Sequence, residues 1–213
     1  VVISDSPAPE PRCLGTSWSP SYEFSTQSNS SKCDINEDAA KRMIEVFCSL
    51  RTLRQTNKYS FISFALRRLN MSYTREEDED VFVDLVIATE SILLTDNTNE
   101  LSYRFQIRGT KILSGDNYCE SASKILKLSY EIRSGIVHGS MSSQPNEAGC
   151  KKLHKSLEKL DMKNLKQASN KLRELTNLIF INIINKLKDS KNLNDLLAQL
   201  DSEIMSRVGD EER

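Results

Sequence analysis

One arginine and one histidine lie close together in the segment RSGIVHGS, residues 133–140. Arg133 and His138 are five positions apart, and the chain contains only two histidines. Histidine exchanges a proton near neutral pH, and arginine carries a fixed charge whose planar fork fits phosphate oxygens. The pair could therefore cleave an RNA phosphodiester through the 2′-hydroxyl. Alternatively, the two side chains cap helix-end carbonyls or pair with a carboxylate.

The apolar pattern before this pair predicts a helix that is buried on two sides. On a helical wheel its apolar side chains form two stripes, Ile125, Leu128, Ile132 and Ile136 in one and Leu126, Tyr130 and Val137 in the other. Five residues on a straight helix correspond to about 500°, which leaves Arg133 and His138 about 140° apart. They converge only if the helix breaks at Ser134-Gly135 or His138-Gly139, or if a second copy completes the site.

The remaining sequence divides into an N-terminal segment and a helical domain. Residues 1–33 contain four of the five prolines and many serines, which favours an extended arm or linker that Trp18, Tyr22 and Phe24 could pin to a surface. Residues 34–213 show helical periodicity, and no period-two strand pattern or internal repeat is evident. We therefore predict an all-α bundle of about seven helices for residues 34–213.

Several of these helices are predicted from particular residues. Asp34 is a plausible N-cap for a first helix whose apolar positions are Met43, Ile44, Phe47 and Leu50. The acidic run REEDED, residues 75–80, suits a helix N-terminus, and it lacks the spacing and glycine of a calcium loop. A later apolar seam consists of Leu172, Leu175, Ile179 and Ile183.

Composition narrows the class of protein. The formal charge is −1, so no whole-chain basic field points to nucleic acid, and any RNA contact requires a local patch. Five scattered cysteines without a C-x-x-C pair argue against a disulfide framework or zinc site and favour a reducing, cytoplasmic location. Neither a membrane-spanning run nor a signal peptide is evident, and we expect no cofactor or metal. Because the sequence does not begin with methionine, we expect a longer protein with a further N-terminal domain.

Three other groups of polar residues are candidates for a role at the site. Arg104, Arg108 and Lys111 follow i, i+4, i+7 spacing, which predicts either an RNA-binding ridge or a solvated helix face. Glu90 could form a buried pair with Arg104 or Arg108, or it is an ordinary surface residue. The lysine-rich run from Lys151 to Lys166 is a second possible RNA-facing surface, or a soluble outer helix.

The segment LSYEIRSGIVHGS resembles the terminal motif of HEPN domains, in which an arginine is followed after four to six residues by a histidine. Arg133, Ser134 and His138 match the arginine, the polar residue after it and the histidine. The stretch DVFVDLVIATESILLTDNTNELSYRFQIRGTKIL looks like the upstream half of the Apea-like HEPN family, with Glu90 before a leucine pair and an arginine-bearing helix. The similarity covers about residues 75–140.

This resemblance implies an all-α, commonly homodimeric fold. In many members it is a metal-independent endoribonuclease of bacterial defence or toxin systems that leaves a 2′,3′-cyclic phosphate. Arg133 and His138 would then be catalytic, with Ser134 and Glu90 in support and RNA as the substrate. Other members are non-catalytic dimerisation or ligand-sensing modules of larger proteins, and that alternative stays open. A tyrosine that one toxin subgroup carries two residues after the histidine is replaced here by Ser140.

Overall fold

The computed structural model describes residues 36–55, 60–95, 100–113, 119–144, 148–189 and 192–211. Within these ranges the chain forms eight helices and no strand, which confirms the all-α prediction. The helices are α1 (Glu37–Gln55), α2 (Ser60–Met71), α3 (Asp78–Leu93), α4 (Leu101–Ile112), α5 (Cys119–Val137), α6 (Ala148–Glu158), α7 (Leu165–Asp189) and α8 (Leu193–Glu211). They belong to one compact unit, residues 37–213. The predicted arm and the Asp34 cap lie outside the described residues.

An additional helix boundary explains why eight helices form where about seven were expected. The turn between α6 and α7 holds Asp161 at a φ of 57°, in the left-handed region that ends a helix. Asn164 then accepts a hydrogen bond from the backbone N–H of Gln167 at 2.9 Å, which satisfies a free donor at the start of α7. Local turn and capping chemistry therefore splits a stretch whose apolar periodicity looks continuous.

The core lies between α3 and α7, which pack against each other and against most of the other helices. The predicted seam on α7 is confirmed, because Leu172, Leu175, Ile179 and Ile183 are all at most 1% exposed. A buried hydrogen bond of 2.9 Å joins the hydroxyls of Thr89 on α3 and Thr176 on α7. This polar contact satisfies both hydroxyls within an otherwise apolar interface, since an unpaired buried hydroxyl is costly.

A buried carboxylate fixes α2 and the turn after it onto α3. Asp84 accepts hydrogen bonds from Arg68 at 2.8 Å and from Arg75 at 3.0 Å, and its side chain is only 3% exposed. Each carboxylate oxygen thus has a charged donor, which offsets the cost of removing the charge from water. The connection leading into the acidic start of α3 is held by this pair of contacts.

The helix that carries RSGIVHG is buried on two sides over most of its length, as predicted. Ile125, Leu126, Leu128 and Ile132 are at most 7% exposed, whereas Val137 at the end of α5 is 53% exposed. The middle of α5 is therefore buried in the core, whereas its C-terminal turn lies at the surface. None of the described helices combines the length and apolar character needed to cross a bilayer.

Candidate functional site

His138 lies in the turn that ends α5. Its backbone N–H still donates to the carbonyl of Ser134 at 3.0 Å, and the next residue, Gly139, has a φ of 68°. The N–H groups of Gly139 and Ser140 then donate to the carbonyls of Ile136 and Gly135. This is a Schellman closure, in which a left-handed glycine satisfies the last free carbonyls. The helix is therefore continuous through Ser134-Gly135 and ends at His138-Gly139.

The closure bears directly on one interpretation of the Arg133–His138 pair. Backbone N–H groups, rather than the Arg133 and His138 side chains, satisfy the carbonyls of Gly135 and Ile136. The side chains of His138 and Ser134 form no hydrogen bond or ion pair with other residues in the described ranges, and His138 is exposed. His138 is thus placed where a substrate or a second protein can reach it.

Arg133 pairs with a carboxylate on the neighbouring helix. Its Nη2 lies 3.4 Å from Oε2 of Glu90 on α3, and the two side chains are 26% and 16% exposed. The Arg133 Nε is buried and has no hydrogen-bond partner among the described residues. The separation exceeds that of a good charge-assisted hydrogen bond, about 2.7–2.9 Å. Glu90 therefore positions the Arg133 guanidinium but does not satisfy all of its hydrogen-bond donors.

This contact corrects the partner expected for Glu90. The predicted partners, Arg104 and Arg108, bind Asp201 instead, and Glu90 forms an ion pair with Arg133. Glu90 does form a mostly buried ion pair, as expected, but with a different arginine. The reason is topological, because α3 and α5 pack against each other in the stretch that contains both side chains. Spacing along the chain could not rank three arginines as partners.

The charge of Glu90 is perturbed by its surroundings. Burial raises the pKa of the Glu90 carboxyl above its ordinary value, and the attraction of Arg133 only partly opposes this. The pKa of Tyr130, also on α5, is raised by burial and by the negative charge of Glu90. Tyr130 packs against Phe105 with ring centroids 5.6 Å apart. Tyr130, Glu90 and Arg133 therefore form one electrostatically coupled group.

The predicted basic ridge on α4 is not formed as expected. Arg108 is 0% exposed, and its guanidinium donates to both oxygens of Asp201 at 2.9 and 2.7 Å and to the carbonyl of Leu93 at 2.6 Å. Arg104 donates to Asp201 at 2.8 Å. Lys111 is half-buried. Arg108 is therefore not accessible to an RNA phosphate, because it ties α4 to α8 and to the end of α3.

Sequence reasoning missed Asp201 and treated Tyr130 only as an apolar position. Asp201 directly follows Leu200, a buried residue of α8, and such a carboxylate at the edge of an apolar stripe is a usable signal for a buried partner. Nothing in the local sequence identifies Arg108 as that partner, since 93 positions separate them.

The segment after His138 is held between an acidic and a lysine-rich element. The Glu79 carboxylate on α3 accepts hydrogen bonds from the Ser143 backbone N–H and the Ser142 hydroxyl. At Gly149, in the first turn of α6, a Cβ would lie 2.9 Å from the Met141 backbone, so the two backbones are in close contact. The lysine-rich helix therefore begins beside the turn that contains His138.

The lysines of α6 face solvent. Leu153, Ser156 and Leu157 form the buried side of the helix. Lys151, Lys152 and Lys155 are exposed, and no ion pair with another described residue is found for them. The predicted lysine-rich run, Lys151 to Lys166, does not form one helix, because α6 ends at Glu158 and Lys166 lies in α7. Its α6 part presents exposed lysines on a helix whose first turn contacts Met141.

No group of three or more histidine, cysteine, aspartate or glutamate side chains suited to a metal ion occurs in the described part of the chain. No protein-family model, no curated protein and no solved structure matches this sequence.

Proposed function

We propose that this chain is a metal-independent endoribonuclease of the HEPN type, acting in the cytoplasm as part of a bacterial defence or toxin system. The proposal rests on the observation that neighbouring residues bind the Arg133 guanidinium only weakly. Its one ion pair is long, at 3.4 Å, and its Nε has no partner among the described residues. An arginine that is positioned but not saturated can exchange a carboxylate for a phosphate, whose geometry its fork matches bidentately.

In the proposed reaction a His138 imidazole removes the proton of an RNA 2′-hydroxyl. The 2′-oxygen bonds to phosphorus, and the bond to the 5′-oxygen breaks as a protonated imidazole donates a proton to that oxygen. Arg133 stabilises the negative charge that develops on the non-bridging oxygens. The products are a 2′,3′-cyclic phosphate and a free 5′-hydroxyl. Ser134 orients His138 or contacts the phosphate.

Glu90 takes a positioning role in this proposal. Burial raises the pKa of its carboxyl, so the charged form that competes with phosphate for Arg133 is less favourable than it would be in water. Glu90 thus keeps the guanidinium near the α5 terminus while leaving it able to bind an anion. The role is indirect, because Glu90 acts through Arg133.

A second copy of the chain supplies the other half of the site in the proposed enzyme. Because α5 is continuous up to Val137, His138 lies about 7.5 Å further along the helix axis than Arg133 and about 140° around it. Two α5 termini that face each other across a two-fold axis would bring Arg133 of one chain near His138 of the other. The exposed Val137 lies between them in sequence and would be covered there.

The decisive experiment is cleavage of tRNA and total RNA by wild type, Arg133→Ala and His138→Ala. We expect each variant to lose about 10²–10⁴-fold in rate, the usual contribution of a proton-transferring group or of an oxyanion donor. Activity should persist in EDTA. Intact RNA after incubation with wild-type protein would refute the proposal, provided that circular dichroism shows all three proteins to be folded.

Mixing the two inactive variants tests the shared site. A mixture of Arg133→Ala and His138→Ala chains contains heterodimers in which one site retains both wild-type groups, so we expect partial recovery of cleavage. A mixture as inactive as its components would count against a site shared between chains.

The alternative is a non-catalytic dimerisation or ligand-sensing module of a larger protein. The Arg133–Glu90 contact is consistent with this alternative, since a half-buried ion pair between α3 and α5 can serve only to link the two helices. Under this alternative Arg133→Ala destabilises the fold or weakens association, and wild-type protein leaves RNA intact.

A further inference from the structure

Helix α1 carries an apolar face that the described part of the chain does not cover. Met43, Ile44 and Phe47 are 60%, 62% and 66% exposed. The adjacent side of the helix packs normally, with Leu53 buried and Val46 and Leu50 partly buried against the core. Three large apolar side chains at neighbouring helical positions form a contiguous patch, and such patches mark interaction surfaces.

The patch continues into a groove between α1 and α7. The groove has a volume of about 680 Å³, and its apolar wall includes Met43, Phe47, Leu50 and Ile181. Ile181 on α7 is itself 38% exposed. The surface therefore combines protruding side chains on α1 with a depression beside them, and a helix could lie along it.

The side chains along α1 match each other when two copies of the helix lie antiparallel. If two copies of α1 pack antiparallel with the two-fold axis between positions 43 and 44, Met43 lies opposite Ile44 of the second copy. Phe47 then lies opposite Ala40, so a large side chain meets a small one at each end of the apolar stripe. Alternating large and small residues across facing positions is how packed helices interdigitate.

The charges at the two ends of the same stripe have opposite signs. Glu37 and Arg51 are both exposed and 14 residues apart, which places them within about 40° of each other around the helix. Antiparallel packing brings Glu37 of one copy beside Arg51 of the other, at both ends of the pair. Parallel packing would place like charges together, and the helix dipoles also favour the antiparallel arrangement.

We propose that the α1 face is a homotypic interface, on which a second copy of this chain packs its own α1 antiparallel. Isologous contact is the common route to closed dimers, and it requires a self-complementary patch of this kind. The interface uses a different helix from the one that would join two α5 termini, since α1 packs on α2 and α7, whereas α5 packs mainly on α4 and α3. The proposal does not depend on ribonuclease activity.

The first test is the mass of the full chain in solution over a wide concentration range, measured by sedimentation or light scattering. Wild type should associate, and Phe47→Asp should weaken that association by at least about tenfold, since a few buried aromatic anchors carry most of the binding energy of an interface. Tyr103→Asp is the matched control, because Tyr103 is an aromatic residue 53% exposed on α4. A wild type that is monomeric at every concentration would overturn the proposal, as would equal masses for the two variants.

A charge exchange tests the antiparallel arrangement. Glu37→Arg and Arg51→Glu should each weaken association, and the double variant should restore it, because each reversed residue then meets a reversed partner. Glu37 also contacts Lys41 within its own helix at 3.1 Å, but both side chains are well exposed, so that pair contributes little. If the double variant associates no better than the single variants, the proposed arrangement is wrong.

Discussion

Two arginine–carboxylate pairs in this molecule differ in how completely they are satisfied. Arg108 is fully buried and makes three hydrogen bonds of 2.6–2.9 Å to described residues, two of them to Asp201. Arg133 is 26% exposed and makes one contact of 3.4 Å, to Glu90. The same residue type thus serves as a fixed link in one place and as a loosely held cation in the other. The difference lies in burial and in the number of oxygen partners.

Of the two arginines, Arg133 is the one available for binding a ligand. Moving Arg108 out of its site would break its two bonds to Asp201 and its bond to the Leu93 carbonyl, a cost of several kcal/mol. Moving Arg133 gives up one long contact to a carboxyl that burial already disfavours in its charged form. A ligand phosphate therefore competes far more easily for Arg133.

The largest expected effect comes from removing the carboxylate of the satisfied pair. Asp201→Ala leaves Arg108 buried without its two carboxylate bonds, and we expect a loss of about 3–5 kcal/mol in the free energy of unfolding. Urea unfolding measures this loss. Arg133→Ala is the comparison, with a smaller expected loss of about 1–2 kcal/mol, because it breaks one long contact instead of two short hydrogen bonds to a carboxylate. Equal losses for the two variants would remove the contrast between the sites.

A second comparison uses the raised pKa of Glu90. The folded state holds a proton on this carboxyl more tightly than the unfolded state, so the group's contribution to stability is complete below its ordinary pKa of 4.5 and is lost as pH rises through the raised value. Between those two pH values, the free energy of unfolding of wild type should fall relative to Glu90→Gln, by at most about 1.4 kcal/mol per pH unit. A relative gain with rising pH would instead mean that the Arg133 attraction dominates.

The smallest effect concerns the lysines near the loosely held arginine. In a His138→Ala background, Lys151→Gln with Lys155→Gln should lower the salt dependence of single-stranded RNA binding by about 0.7 per lost phosphate contact. The matched control is Lys124→Gln with Lys127→Gln, since these exposed lysines lie in the first half of α5, away from its C-terminal turn. Identical salt slopes for the two double variants would show that α6 does not contact RNA. That outcome would not affect the proposal of RNA cleavage, which is tested separately with His138 intact.

The fold class and most of the helices follow from local patterns in the amino-acid sequence. Apolar periodicity is a local property, so the α7 seam and the two buried sides of α5 are correctly predicted from it. Residue type and spacing identified Arg133 and His138 as a candidate pair, and helical geometry predicted that a straight helix keeps the two side chains apart. The helix α5 is indeed continuous from Arg133 to Val137. The boundary between α6 and α7 depends on a short turn with capping residues, which interrupts the apolar pattern only briefly.

The pairing of charged groups, in contrast, depends on how distant helices pack in the folded protein. Asp201 lies 93 positions from Arg108, and no local rule indicates that α8 returns to α4. For the same reason Glu90 was assigned to the wrong arginines, although its burial was anticipated. The periodicity of α1 predicted a helix but could not show that its apolar face stays exposed, since burial depends on where distant helices pack. Local pattern sets the elements, whereas partner choice and exposure arise from contacts between residues far apart in the chain.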